Sequence, residues 1–484
     1  MFSIQINLMI KHVKVLFLKN KLLKNFSVLT FSNILTQLLA VFISIKIARS
    51  LTPYNFGIYN LLFLHVTMFS IISSLGLRNI IIQKIARNIK SVQSVFYNSF
   101  IIRSLSTLIC IIIYFIYYNF YTDLDDILFI LVIFGLLSTV YFDLFESIAF
   151  GLEKMEFSGI INFASYFLWF IFIIMLPDKF LTLNLIFGTF VIFNLIKSFI
   201  YFLSLYKSRI ITEFNFEYIN KNEIIKISQE SFPYYYLALF TLLSNQVPLL
   251  FLEYRSGVEQ IGFFNLAGKI LLPLNLVVNT ALAAIFPTLS KLFMNSFKSF
   301  IEMVKMIFIL ICIFGVVCAL LVSLFREDLI LLLYGYKYIN SSLVLTYQSW
   351  YVALYSVVCL IGTILGSINK QKQLAYLSIL CTIIQVPILW IGSKYGAIYL
   401  SAAFLISTTI VLGIHLFAVY YYLSYRISLF FYIKIILLFV FGYLISIIIP
   451  SELNTLYKLF FIISLVFSIA YILFKKYKNQ LCIN

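Results

Sequence analysis

Apolar runs of roughly twenty residues, each closed by a short polar, Pro, Gly or Asn break, recur along the whole chain. A helix needs about 20 apolar residues to cross the hydrocarbon of a bilayer. The runs fall at 25–48, 57–77, 95–118, 126–149, 158–176, 183–206, 230–252, 262–286, 301–325, 341–367, 374–392, 397–424, 429–449 and 455–474, and they predict fourteen transmembrane helices. The thinnest separation is between the eleventh and twelfth, which only Ser393 to Gly396 divide. No connection is long enough to hold an extramembrane domain.

Composition agrees with this pattern. The chain of 484 residues is 63% hydrophobic and only 11% charged, with a mean hydropathy of +1.04, against about 25% charged residues in a soluble domain. So few charges cannot cover a folded surface in water, which excludes soluble enzymes, nucleic-acid binders and secreted disulfide scaffolds. The net charge of +17 therefore points to anionic lipid or an anionic lipid-linked substrate. Cys110, Cys312, Cys318, Cys359 and Cys381 lie inside apolar runs and Cys482 in the tail, with no Cys-x-x-Cys and no spacing suited to a metal. They read as small buried hydrophobes, and neither a metal nor a cofactor is expected.

The placement of charge sets the direction of the spans. With fourteen helices, both ends and every even-numbered loop share one side, and twenty-two Lys and Arg residues fall there, from Lys11 to Lys478. The opposite side holds six: Arg49, Lys179, Arg255, Arg326, Lys337 and Lys394. Cytoplasmic enrichment of basic residues orients membrane proteins, so both termini are expected in the cytoplasm. No signal peptide is expected, because the basic cluster follows the first apolar stretch. Ile10 to Lys24 alternates Lys with Val, Leu and Phe and reads as an interfacial helix on the anionic leaflet.

A weak internal repeat is visible. Phe56-Gly57-Ile58-Tyr59-Asn60-Leu61 opens the second span and Ile261-Gly262-Phe263-Phe264-Asn265-Leu266 the eighth. Gly151 to Lys154 after span four is echoed by Gly366 to Lys370 after span ten. Two six-span units in the same orientation are expected, as in parallel-repeat transporters, with a binding site between them. The expected organisation is a basic interfacial segment (1–24), an N-lobe (25–206), a linker (207–229), a C-lobe (230–424) and two further helices with a basic tail (425–484).

Ala48-Arg49-Ser50-Leu51-Thr52-Pro53-Tyr54-Asn55-Phe56-Gly57-Ile58-Tyr59 resembles the A-R-x-L-G-P-x-x-F-G-x-Y motif of the polysaccharide-transporter branch of the multidrug/oligosaccharidyl-lipid/polysaccharide (MOP) exporter superfamily, the Wzx-type O-antigen flippases. Thr52 replaces the usual Gly. Ser74 to Leu77, Ile85 to Arg87, Gly151 to Met155, Tyr334-Gly335, Asn369-Lys370 and Gly392 to Ala397 also fit the pattern. The resemblance implies an all-α polytopic membrane protein with two pseudo-symmetric six-helix bundles. It also implies movement of a polyprenyl-pyrophosphate-linked oligosaccharide across the bacterial cytoplasmic membrane through a central cavity, next to glycosyltransferases and a polysaccharide polymerase. It assigns no site; Arg49 matches the motif and is a candidate, but sits at an outer helix end, where an interfacial anchor is the alternative.

Ionisable groups inside spans are costly, at least about 2.5–3.5 kcal/mol each, and helical phase sorts them. Lys269 is in phase with Asn265, Pro273 and Thr280, and Pro273 is expected to leave a break beside its carbonyl. Lys197 shares a face with Asn194, Tyr201 and Ser204. For both lysines the alternatives are a cavity-lining role, with Asn265 and Asn194 beside them, or snorkelling toward the interface. His415 continues the series Ser401, Thr408, His415, Tyr422, which is either a binding face or a helix–helix seam. Asp143 and Glu146, one turn apart, should not both stay ionised without a cation; they are candidates for coupling H+ or Na+, or partners for Arg103 or Lys197. Lys46 and His65 lie off the polar stripes of their helices and read as snorkelling or packing.

A pyrophosphate with a sugar chain cannot cross hydrocarbon unless its lost hydration is replaced. The expected function is therefore a flippase whose basic residues supply that solvation. No G-x-x-x-x-G-K-[ST] motif is present to bind ATP. The alternatives are a cation-coupled multidrug antiporter of the same superfamily and a membrane polysaccharide polymerase or ligase. Fourteen spans and the basic excess weigh against the first, the short outward segments (the longest roughly Arg326 to Asn340) weigh against the second, and no catalytic residues are expected.

Overall fold

The computed structural model describes residues 21–121, 124–208, 210, 218–423 and 427–448, and every regular element among them is helical. In hydrocarbon a backbone N–H or C=O finds no water, so a spanning segment satisfies its own hydrogen bonds as a helix. The first helices are α1 (Lys21–Ser50), α2 (Pro53–Ser74), α3 (Leu77–Arg87), α4 (Val92–Tyr121), α5 (Asp126–Gly151), α6 (Met155–Met175), α7 (Leu183–Lys207) and α8 (Lys221–Asn245). They are followed by α9 (Val247–Ser256), α10 (Val258–Asn295), α11 (Phe297–Leu324), α12 (Arg326–Leu333), α13 (Ser341–Ser367), α14 (Gln371–Gly392), α15 (Ala397–Tyr422) and α16 (Leu429–Ile448). Thirteen spans among the described residues are long and apolar enough to cross a membrane, α8 and α9 together forming the seventh. The expected fourteenth (455–474), the basic tail and the interfacial segment up to residue 20 lie outside the described residues. Ser393–Tyr395 and Gly396 separate α14 from α15, so the thinnest division of the sequence is a real one.

Local chemistry sets the helix ends. Pro53 starts α2 and the Thr52 Oγ1 accepts from the Asn55 N–H at 3.2 Å, an N-cap with Pro at the first helical position. Leu75 (φ 47°) and Gly76 (φ 70°) then stop α2 in the left-handed region before α3 begins. Glycine is required at the second of these. A Cβ on Gly76 would lie 2.5 Å from Tyr235 N and 2.9 Å from Ser231 O, because the backbone of α8 rests on it.

The internal repeat is present in the backbone. Thr52 and Gly257 cap α2 and α10, and Asn60 and Asn265 occupy the same turn of each. After α5, Leu152, Glu153 and Lys154 donate to Ile148 O (3.0 Å), Phe150 O (3.1 Å) and Ala149 O (2.8 Å), with Glu153 left-handed at φ 58°. After α13, Ile368, Asn369 and Lys370 donate to Ile364 O (3.2 Å), Gly366 O (3.2 Å) and Leu365 O (2.9 Å), with Asn369 at φ 61°. These are the same C-terminal turn. Its register pairs Glu153 with Asn369, so Gly151 matches Ser367 and not Gly366, one residue off the alignment that the sequence suggested.

The described residues form two compact units, divided between Val247 and Pro248. In the first, α1 packs on α6, and α3 and α7 on α5, around Leu77, Ile81, Phe96, Leu144, Ile148 and Tyr201. In the second, α10, α11 and α15 surround α13. There α16 joins α11, with Gly442 so close to Trp350 that a Cβ would meet its ring at 2.7 Å, and Trp350 Nε1 donates to Ser446 Oγ at 3.2 Å.

The unit boundary differs from the expected linker at 207–229, because α8 packs on the first unit. Ile227 is fully buried there, Lys84 Nζ lies 3.0 Å from Glu230, and Asn98 binds Tyr218 O (2.9 Å) and the Asn220 N–H (3.0 Å). Pro273 also fails to break α10, which runs from Val258 to Asn295 through Pro273 and Pro287. A Pro within a membrane helix is tolerated when neighbours absorb the freed carbonyl.

Candidate functional site

The first unit holds a charged cluster built by five helices. Asp143 and Glu146 stand one turn apart on α5, eight and five residues before its end at Gly151. At 1.5 Å per residue, Asp143 lies about 12 Å inside that end. Arg103 on α4 and Lys197 on α7 lie about 15 Å inside the corresponding ends. All three therefore occupy one level.

Each acid has its cation. Arg78, in the first turn of α3, donates one guanidinium nitrogen to both Asp143 Oδ1 and Glu146 Oε2, the latter at 2.7 Å. Arg103, fully buried, donates to Asp143 Oδ2 at 2.6 Å and to Val140 O at 2.8 Å. Glu146 Oε1 accepts from Ser158 Oγ and, at 3.4 Å, from Asn162 Nδ2 on α6. The acids thus have arginine partners, the partnership left open with Arg103 in the sequence. A site that takes up H+ or Na+ at Asp143 and Glu146 has to displace a guanidinium first.

Lys197 is the exception. It is 7% exposed, its Nζ sits 4.0 Å over the Phe142 ring, and it makes no hydrogen bond or ion pair with a described residue. The Glu146 carboxylate lies within its electrostatic reach. Among the five groups Arg78, Arg103, Lys197, Asp143 and Glu146 there is one cation more than the acids pair with, and Glu156, its Oε2 buried without a hydrogen-bond partner, stands at the edge of this set within reach of Tyr201. Because a buried unpaired charge is costly, Lys197 is the group in this cluster with the most to gain from an anion.

The other expected site residues are dispersed. Asn194 is buried near Lys197, but its Nδ2 donates to Phe190 O at 2.8 Å within its own helix. Arg49 is exposed in the last turn of α1, where a cation complements the carbonyl end of the helix. Asn265 and Lys269, both half-buried, lie on α10 in the second unit. His415 is buried in the α14–α15 seam with Nδ1 2.9 Å from Val411 O and 3.8 Å from Cys381 Sγ. Ser401 and Thr408 of the same seven-residue series are buried as well, and Tyr422 is half-buried. His65 packs between Tyr114 and Tyr117, and Lys46 Nζ pairs with Asp178 Oδ1 at 2.5 Å.

Arg78 was counted in the sequence among the loop charges and missed as a site residue. Its one signal is the pair of unpaired acids in span four, which demand a cation. An apolar groove of about 490 Å³ between α10 and α11, lined by Val278, Ala281, Ile285, Met303 and Ile307, has no charged group in its lining.

The described residues thus form an all-helical membrane protein with an internal repeat and a buried charged cluster. Its fold is similar to that of lipid II flippase MurJ in an inward closed conformation (TM-score 0.64, 15% identity, 86% of this chain and 97% of that one) and to that of an inward-facing multidrug resistance MATE family transporter of the MOP superfamily (TM-score 0.61, 14% identity, 81% and 96%). The chain belongs to the polysaccharide biosynthesis protein family, whose model matches residues 22–293. It is also 24% identical over 380 residues to the capsular polysaccharide biosynthesis protein CapF of Staphylococcus aureus, covering 75% of this chain and 91% of that one.

Proposed function

We propose that this protein is a flippase that carries a polyprenyl-pyrophosphate-linked saccharide from the inner to the outer leaflet of the bacterial cytoplasmic membrane, with both termini in the cytoplasm. The observation that carries the reading is the surplus cation of the first-unit cluster, beside acids already held by arginines. An anionic headgroup entering hydrocarbon needs its hydration replaced, and a preformed guanidinium and ammonium set supplies it. The membrane potential supplies a drive: about 2.3 kcal/mol per charge per 100 mV, hence roughly 4–5 kcal/mol for two negative charges moving outward. The names of the relatives, a lipid II flippase and a capsular polysaccharide protein, agree with such a cargo. The multidrug-antiporter reading is disfavoured because Asp143 and Glu146 are both engaged by arginines, Arg78 and Arg103.

The test is flipping of a fluorescent polyprenyl-pyrophosphate disaccharide in proteoliposomes, read by an impermeant quencher. Lys197→Gln brings the cluster to neutrality and is expected to slow flipping at least tenfold. A native rate in that variant refutes the assignment of the site.

A further inference from the structure

The cluster has three cations and two carboxylates, and their arrangement leaves Glu146 with a choice of partners. Its carboxylate is held by Arg78 on one side and by Ser158 and Asn162 on the other. Lys197, within electrostatic reach, has no acceptor of its own. Asp143 has no comparable freedom, because it is clamped between Arg78 and the fully buried Arg103. The two candidate cations also differ in access. The Arg78 side chain is 35% exposed and its guanidinium leans on the Phe150 ring at 5.1 Å. Lys197 is 7% exposed.

We propose that Glu146 is a built-in stand-in for the cargo's phosphate: it occupies Arg78 when the protein is empty, and moves to Lys197 when a diphosphate takes Arg78. This rests on the flippase reading and adds which group receives the anion and what replaces it. A guanidinium binds phosphate oxygens as a planar fork, whereas an ammonium is a point charge suited to a single carboxylate. The exchange conserves charge: loaded, Glu146 neutralises Lys197, and Arg78 faces the diphosphate. The one ion pair lost, Arg78–Glu146, gives way to Lys197–Glu146 and Arg78–phosphate, so neither an unpaired carboxylate nor an unpaired guanidinium is left in the low-dielectric interior. The same exchange provides release, since the returning carboxylate competes with the phosphate for Arg78.

The test uses the full chain in nanodiscs and geranylgeranyl diphosphate as probe, with binding measured by calorimetry. Glu146→Gln removes the competitor and is expected to tighten binding at least fivefold. It also adds a positive charge to the cluster, so Ser158→Ala, which loosens Glu146 without changing charge, is the deciding variant and is expected to tighten binding two- to fivefold. Glu146→Asp keeps a competing carboxylate and stays within twofold of native. Lys197→Gln, which denies Glu146 its second partner, weakens binding at least fivefold in the native background. In the Glu146→Gln background it has less than a twofold effect. Equal losses from Lys197→Gln in both backgrounds, or unchanged binding in Ser158→Ala, overturn the exchange and leave the flippase reading standing. Absence of any Arg78-dependent diphosphate binding in the native chain overturns the flippase reading of this site and the exchange with it. If Glu146→Gln fails to fold, Ser158→Ala and Lys197→Gln in the native background decide between exchange and fixed pairing.

Discussion

The pairing of Arg103 with Asp143 separates stability from function in a way that can be measured. Arg103→Met removes a fully buried guanidinium that donates to Asp143 at 2.6 Å and to Val140 O at 2.8 Å. Asp143 keeps Arg78, but one carboxylate oxygen and one carbonyl lose their donors. Breaking a buried pair from one side costs about 3–5 kcal/mol. For a unit of this size each kcal/mol lowers the midpoint by about 2–4 °C, so a fall of about 10 °C is expected. The second change, Asp143→Asn in the Arg103→Met background, removes the stranded charge and should restore most of the loss, because exchanging a whole buried pair for neutral groups is often neutral. Charge follows a different course. The single variant leaves the cluster neutral, whereas the double variant returns it to one positive charge, so flipping should be lost in the first and regained in the second. The assay is built into the sequence: Cys110 is a buried thiol in the first unit, and Cys312 and Cys381 are buried thiols in the second. Mass-spectrometric labelling against temperature reads each separately. Arg103→Met should lower the labelling midpoint of Cys110 and leave Cys312 nearly unmoved. A loss below about 1 kcal/mol, or no recovery in the double variant, refutes the account of the cluster.

Two other expectations are simpler. Gly76→Ala forces a side chain into a left-handed residue, at about 1–2 kcal/mol, and into the backbone of α8, so the Cys110 midpoint should fall by more than 5 °C; a native midpoint means that α8 does not rest there. Asp178→Asn removes a pair whose side chains are 26% and 67% exposed, and exposed pairs contribute about 0–1 kcal/mol; neither midpoint should move by more than about 3 °C, and a larger fall means that Lys46 depends on Asp178 inside the membrane.

The spans were legible because a helix in lipid has only length and hydropathy to satisfy, and even the four-residue break at Ser393–Gly396 sufficed. The repeat was legible at Gly57 and Gly262, where both units open a helix alike. Its second echo slipped by one residue because the shared feature is a left-handed turn at Glu153 and Asn369, not the glycines nearby. Helical phase placed Asp143 and Glu146 on one face but could not supply Arg78, which reaches them from a short helix set by the turn at Leu75–Gly76. The allegiance of α8 was invisible for a similar reason. It depends on a glycine contact and on Asn98, whose partners are more than a hundred residues away.

The matched turns that stop α5 and α13 allow the two units to be compared position by position. At the positions that the shared turn places opposite Asp143 and Glu146, the second unit has Cys359 and Gly362. The two halves share the course of the main chain at this corner and differ in the ionisable groups on the face beside it. Labour between the twins is unequal: one carries the salt chemistry, and the other fills the matching positions with small uncharged groups while its corner stays bent the same way.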